Sequence, residues 1–227
     1  MLRYDFEKAS CEIAEKTESF KDCCSVTYRI QRTDSLDVTR GMQLQEAGYC
    51  FHDRVFNVEI VRTEKDAVVF PQGVECVISE VKTDDLYKLA TEAFSHDRRF
   101  HLEKDWNQRM ANHVIRAYLN KFEEAHYSVI RVLHEEVLLG FVVLRCAGDK
   151  SFENVLGCTR PGIKGKMIAY PMYLAAIALG KKLTCPEGKY IGRVSSTNMA
   201  SLNLHMSLGA RITSIEDEYI LFNKGNQ

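Results

Sequence analysis

Charge of one sign is missing from this 227-residue chain: 30 Lys and Arg stand against 31 Asp and Glu, a formal net charge of −1. A protein that holds nucleic acid through counterion release carries a basic excess, so nucleic acid is not expected as a partner. No apolar run approaches the ~20 residues of a membrane-spanning helix, so no membrane partner is expected either. The opening residues, Met1-Leu2-Arg3-Tyr4-Asp5-Phe6-Glu7-Lys8, are charged and lack a signal-peptide core, which gives a cytoplasmic location as the expectation. Eight cysteines, at 11, 23, 24, 50, 76, 146, 158 and 185, include no Cys-x-x-Cys spacing, so no metal site is expected and the thiols read as reduced. Nucleotide-binding loops are absent as well. Gly165-Lys166 is followed by Met167 instead of the Ser or Thr of a Walker A loop, and there is no Gly-x-Gly-x-x-Gly.

What is present is an ordinary globular composition, 45% hydrophobic, on a chain long enough for one large or two small domains. Residues 1–24 form a polar, helix-compatible lead. A strand is expected at Ser25–Ile30 and a helix at Asp34–Glu46, with Leu36, Val38, Met42 and Leu44 as core positions. Two strands should follow, Tyr49–His52 and Phe56–Val61. Charged residues and then Pro/Gly signals over Thr63–Gly73 mark a linker, which places a boundary near residue 72 between a smaller domain, 1–72, and a larger one, 73–227. Beyond it come a strand at Val74–Val81, a helix from Thr83 to about Phe94 with first-turn acids, and a long helix over Asp105–Phe122. A hairpin joins Tyr127–Leu133 to Val137–Cys146 through His134-Glu135-Glu136. Next are a strand at Phe152–Thr159, a helix ending at Gly180, a strand from Lys189, a helix stopping at Gly209, and a last strand at Glu218–Phe222. Cys76, Cys146 and Cys158 fall inside apolar runs and should pack as small hydrophobes. Strands and helices mixed around a central hairpin imply an α/β (α+β) fold with a mixed sheet.

Two stretches carry chemistry. Arg160-Pro161-Gly162-Ile163-Lys164-Gly165-Lys166-Met167-Ile168-Ala169 joins a strand to a helix, with Pro171 placed in or just after the first turn. Such a junction offers free backbone N–H groups and a helix dipole to an anion, and a diphosphate is the natural guest. A plain turn is the alternative. The second stretch, Ser195 to Ala210, opens on capping residues and closes on Gly209. Asn198 and His205 lie about two helical turns apart, so they share a face. Met199, Leu202, Met206 and Leu208 can equally form a core stripe, with Asn198 only a cap.

The second stretch, Asn-x-x-small-x-x-Leu-x-x-x-x-Gly, resembles the last conserved segment of the GNAT acyl-CoA N-acyltransferases. Asn198, Ser201, Leu204 and Gly209 are in register, and His205 stands where the family usually has tyrosine. Lys164 to Ala169 is similar to the family's diphosphate loop, with Lys for its first residue and Met167 for its middle glycine. Gln43–Tyr49 and Ala93–Phe100 look similar to a two-domain branch, that of the TDP-fucosamine acetyltransferases. Its members acetylate the amine of a dTDP-linked 4-amino-4,6-dideoxyhexose. The resemblance implies a mostly antiparallel sheet flanked by helices, and acetyl-CoA as the acyl donor. It implies that Leu156, Gly157, Cys158, Lys164, Gly165, Lys166, Met167, Ile168, Ala169 and Asn198 hold the donor. It also implies a proton for the leaving thiolate from His205, with Tyr170 or Tyr173 as substitutes, and Glu153, His96 or Asp97 as the base. Phe94, His96, Arg98 and Arg99 would face the acceptor. A dTDP-linked amino sugar is the expected partner and a homodimer an open expectation. A CoA-binding or sensing module without chemistry is the rival reading, and a peptide N-terminus or an aminoglycoside are rival acceptors.

Overall fold

The hairpin that organises the larger sheet shows how closely local chemistry sets this fold. In the computed structural model, β5 (Ser128–His134) and β6 (Val137–Cys146) pair antiparallel across a two-residue turn. Both turn residues are left-handed, Glu135 at φ 49° and Glu136 at φ 65°. That geometry matches the twist of the flanking strands, although neither residue is the Asn or Gly that adopts it most easily. The structure describes residues 14–20, 23–61, 68–95, 112, 115–116, 119–123, 127–163 and 165–224.

The remaining elements are β1 (Ala14–Phe20), β2 (Cys23–Asp34), α1 (Val38–Glu46), β3 (Cys50–Ile60), β4 (Val74–Glu80), α2 (Thr83–Ala93), β7 (Ser151–Thr159), α3 (Gly165–Leu183), β8 (Lys189–Ser195), α4 (Met199–Ser207) and β9 (Arg211–Lys224). The chain divides into two compact units. One comprises Met1–Asn57, Val194–Met199 and Ile212–Gln227, and the other Val58–Arg193 and Ala200–Arg211.

In the first unit the strand order is β1-β2-β9-β3, with β1/β2 and β2/β9 antiparallel. Its small core is Leu44, Tyr49 and Tyr219, with Leu221 against it. Here the sequence expectation fails for α1: Leu36, Val38 and Met42 are exposed, and only Leu44 is buried. The reason is the contact face. Gly41 lies so close to the Tyr219 hydroxyl that an added Cβ would come within 2.7 Å of it, so Gly41 and Leu44, one turn apart, form the packed side. Asp37 caps the helix, accepting from the Arg40 N–H at 2.9 Å. Three strand expectations also change. Ala14–Phe20 is a strand within the stretch read as helix-compatible, the two runs after Gly48 are the single strand β3, and β9 is longer than Glu218–Phe222 at both ends.

In the second unit the order is β3-β8-β7-β6-β5-β4. Pairs β4/β5, β5/β6 and β6/β7 are antiparallel and β7/β8 is parallel, the mixed, mostly antiparallel sheet that was expected. Alternate residues serve two helical layers. Val142 and Leu144 join Phe152, Met172, Tyr173, Ile177 and Tyr190 in the cluster under α3. Their neighbours Phe141 and Val143 are equally buried, and α2 packs on β6 and β7. Of the expected 105–122 helix, Ile115, Leu119 and Phe122 are described and buried. Gly180, read as a helix end, lies inside α3. A side chain there would collide with the Phe152 ring, so the glycine lets α3 sit flush on β7. Cys76 and Cys146, expected inside, are exposed. Among the described residues no helix is long and apolar enough to cross a membrane.

Candidate functional site

Two neighbouring strands of the second unit part company at one register position. The parallel pairing of β7 with β8 runs from Ser151↔Lys189 to Asn154↔Gly192, and among the described residues of this unit it ends there. β7 continues through Val155–Thr159, held on its other side by β6 as far as Thr159↔Gly140. A strand paired on one side only presents unspent N–H and C=O groups on the other. Leu156 is buried, and Gly157 and Cys158 are half-buried.

Below the point of divergence lies a chain of buried polar side chains. His205 Nδ1 is 2.8 Å from the Ser201 carbonyl oxygen, and its Nε2 is 2.9 Å from the Tyr190 hydroxyl. A carbonyl can only accept, so Nδ1 carries the proton and Nε2 must accept from Tyr190 Oη–H. The Asn154 amide favours the charged form of the Tyr190 phenol and so partly offsets its burial. Asn154 Nδ2 also donates to Tyr173 Oη at 3.1 Å. Tyr190, His205 and Tyr173 are only 0%, 2% and 5% exposed, and the Tyr173 and His205 rings meet edge to face at 5.3 Å. Burial pushes the His205 imidazolium below its usual range, partly offset by the Ser201 carbonyl, and burial pushes the Tyr190 phenol well above its own. Both groups are therefore neutral at pH 7.

Glycines make the approach possible. An added Cβ at Gly157 would lie 2.7 Å from Tyr173 Oη, and one at Gly192 would lie 3.3 Å from His205 Nε2. The C-terminus of α4 is closed by a Schellman motif, with Ala210 N–H to His205 O at 2.9 Å and Gly209 N–H to Met206 O at 3.0 Å, which fixes the turn carrying His205.

The other expected site residues are dispersed. Glu153 is nearly buried, and its Oε2 takes both Nε and Nη2 of Arg145 at 2.7 Å. Gly165, Lys166, Met167, Ile168 and Ala169 form the first turn of α3; Met167 is half exposed and Ile168 joins the core. Lys164 lies outside the described residues, as do His96, Asp97, Arg98 and Arg99. Phe94 is buried beside the end of α2. Asn198 immediately precedes α4, and its N–H bonds to Ser195 O at 3.0 Å. Pro171 falls in the second turn of α3, just after the first, and has no N–H to donate to the Met167 carbonyl. Asn154 and Tyr190 were missed. The available signal was a lone amide between Phe152 and Leu156 in an apolar strand, a position where burial demands a partner. Among the described residues no group of three His, Cys, Asp or Glu is placed to hold a metal.

No protein-family model matches the chain, and no curated protein matches it. Solved structures do. A GCN5-related N-acetyltransferase from Sphaerobacter thermophilus is similar with a TM-score of 0.60 at 10% identity, over 88% of this chain and 61% of that one. A tandem GNAT protein from the clavulanic acid biosynthesis pathway gives 0.60 at 12% identity, over 95% of this chain and 64% of that one. A GCN5-related N-acetyltransferase from Kribbella flavida gives 0.51 at 13% identity, over 82% of this chain and 64% of that one. The chain thus spans less than two thirds of the length of each of these three proteins. At such identities the likeness concerns architecture: the chain has the fold of the GCN5-related N-acetyltransferases.

Proposed function

We propose that the protein is an acetyl-CoA-dependent N-acetyltransferase acting on a small-molecule amine. The observation that carries this reading is the register of β7, which loses its β8 partner after Asn154 and continues through Leu156, Gly157 and Cys158. The residues present fit the donor. Among the described residues Asn154 Oδ1 is buried without a partner, Gly157 has no side chain to obstruct a ligand, and the first-turn N–H groups of α3, which begins at Gly165, have no partner within the helix. In this reading the first turn of α3 holds the diphosphate. The edge of β7 holds the pantetheine arm, and an amide between Leu156 and Cys158 polarises the thioester oxygen. Acetyl-CoA supplies the activated acyl carbon. Residues 73–227 carry acyl-CoA binding, and 1–72 serve the acceptor side or the structure.

Glu153 is the leading base within the described residues. It sits on the same strand, and Arg145 holds only one of its oxygens in the described bonds. The acceptor we infer is a nucleotide-linked amino sugar, supported by the sequence likeness over Gln43–Tyr49 and Ala93–Phe100. The neighbouring tandem GNAT structure, described as being without AcCoA, supports acetyl-CoA as the donor. The test is thiol release from acetyl-CoA across a panel of amines: nucleotide-linked amino sugars, aminoglycosides and peptide N-termini. Release with the first class supports the proposal, and release with either other class reassigns the acceptor. Binding of acetyl-CoA without release would make the chain a CoA-binding module.

A further inference from the structure

We infer that the guanidinium of Arg131, on β5, is a binding site for an anionic oxygen pair, the phosphate or carboxylate of a ligand. The site is separate from the one proposed for acetyl-CoA and does not depend on that reading.

Its basis is what other arginines of the chain do. The Nε–H and Nη2–H of a guanidinium point the same way and match the two oxygens of a carboxylate or phosphate. Arg54 sets that edge against Asp217, with Nε to Oδ1 at 2.7 Å and Nη2 to Oδ2 at 3.0 Å. Arg145 sets it against Glu153, with both nitrogens 2.7 Å from Oε2. Arg32 does so with Glu218 Oε2, at 2.8 Å from Nε and 2.7 Å from Nη2. Arg131 differs. Its Nη1 donates to Asp85 Oδ2 at 2.9 Å, but Nε and Nη2 are buried and meet no acceptor among the described residues. A buried donor without an acceptor gives up water and gains nothing for it, so two on one guanidinium call for oxygens from outside the chain.

The sheet around Arg131 supplies no substitute. Directly across stand Val77 on β4 and Phe141 on β6, and Val129 and Leu133 flank it on the same face of β5. The Glu75 carboxylate is a diagonal position away on β4, on a residue that is exposed. The Arg131 side chain is 16% exposed and that of Asp85 50%, so the guanidinium lies just beneath the surface, tethered by a weak, solvent-screened pair. It can turn its paired edge to an incoming anion without breaking a strong bond. The face also decides which anion this is not. Ile130 and Val132, on either side of Arg131, belong to the cluster under α3, so Arg131 lies on the opposite side of the sheet, where Asp85 of α2 meets it. The donor's diphosphate, proposed for the first turn of α3, is on the other side.

The experiment follows thermal unfolding of the full chain while inorganic phosphate, diphosphate or acetate replaces chloride at constant ionic strength. The wild type shows a saturable rise in Tm with at least one of these anions. Arg131→Lys keeps the charge but lacks the paired edge, and weakens that binding about tenfold or more. A larger response to phosphate or diphosphate marks a phosphorylated ligand, and a larger response to acetate a carboxylated one; both support the site. A second readout needs no added anion. In chloride buffer Arg131→Met is as stable as the wild type, because it removes two unmet donors and leaves Asp85 exposed enough to be hydrated. Arg145→Met, in contrast, unfolds at a lower temperature because it strands the nearly buried Glu153. Where an amine carrying the same anion is turned over, a KM raised about tenfold in Arg131→Lys, with kcat within about twofold, assigns the anion to the acceptor. Unchanged kinetics with the Tm response still lost assign it to a separate ligand, and either result keeps the site. No saturable response in the wild type, an equal response in Arg131→Lys, or a loss in Arg131→Met matching that of Arg145→Met overturns the inference.

Discussion

Tyr190 Oη donates to His205 Nε2 across 2.9 Å, and both side chains are shut away from solvent at 0% and 2% exposure. Removing the imidazole leaves a phenol hydroxyl buried without its acceptor. His205→Ala therefore destabilises the protein by about 2–4 kcal/mol, from the lost packing together with the orphaned hydroxyl. Urea unfolding measures it, and a change below about 0.5 kcal/mol would mean the pair is not formed.

The same histidine gives a pH dependence. Its folded pKa lies below the unfolded value, because burial opposes the charge more than the Ser201 carbonyl favours it. The unfolded state thus binds the proton first. The stability from neutral His205 is fully present above the unfolded pKa, ~6.5, and is lost as pH falls from there through the folded pKa. His205→Gln should flatten that limb of the stability–pH curve relative to wild type. A limb of unchanged slope would assign it to other groups.

How much of this was legible in the sequence differs by element. The hairpin and the helix stop at Gly209 follow from local chemistry: alternation, turn residues and a glycine at φ 84°. α1 did not, because its packed side is chosen by Gly41 against Tyr219, a contact that links distant parts of the chain. Gly180 was misread for the same reason, since a glycine needed for close helix–sheet approach looks in sequence like one that ends a helix. The segment from Asn198 to Gly209 pointed to His205 as a site residue. Its partners could not be read, because Tyr190 and Asn154 reach it only through the sheet.

Gly180 offers a test of that packing. Ala at this position puts a methyl group into the Phe152 ring, at a cost of about 1–3 kcal/mol. Shrinking the ring in a Gly180→Ala, Phe152→Leu double variant should recover part of the loss beyond additivity, measured as a double-mutant cycle. Additive losses would show that the two residues do not touch.

The Glu135–Glu136 turn carries strain that substitution can relieve. With φ at 49° and 65°, Asn at the first position and Gly at the second fit the turn better and remove two adjacent like charges. The Glu135→Asn, Glu136→Gly variant should gain about 1 kcal/mol in chemical denaturation. A loss would indicate a different turn.

Gly157 separates site geometry from stability. The methyl of Gly157→Ala would stand 2.7 Å from Tyr173 Oη and must displace that hydroxyl. Turnover should fall about tenfold or more, because the methyl also narrows the free edge of β7 along which the pantetheine arm is proposed to run. Unchanged turnover in steady-state kinetics would place that arm elsewhere.

The most direct measurement is a calorimetric titration of the full chain with acetyl-CoA. The account predicts saturable one-to-one binding and, at a ligand concentration one hundred times Kd, a gain of about 2.7 kcal/mol in unfolding free energy. A flat titration, with unfolding unmoved by acetyl-CoA, would contradict the claim that the open edge of β7 and the N-terminus of α3 form an acyl-CoA site.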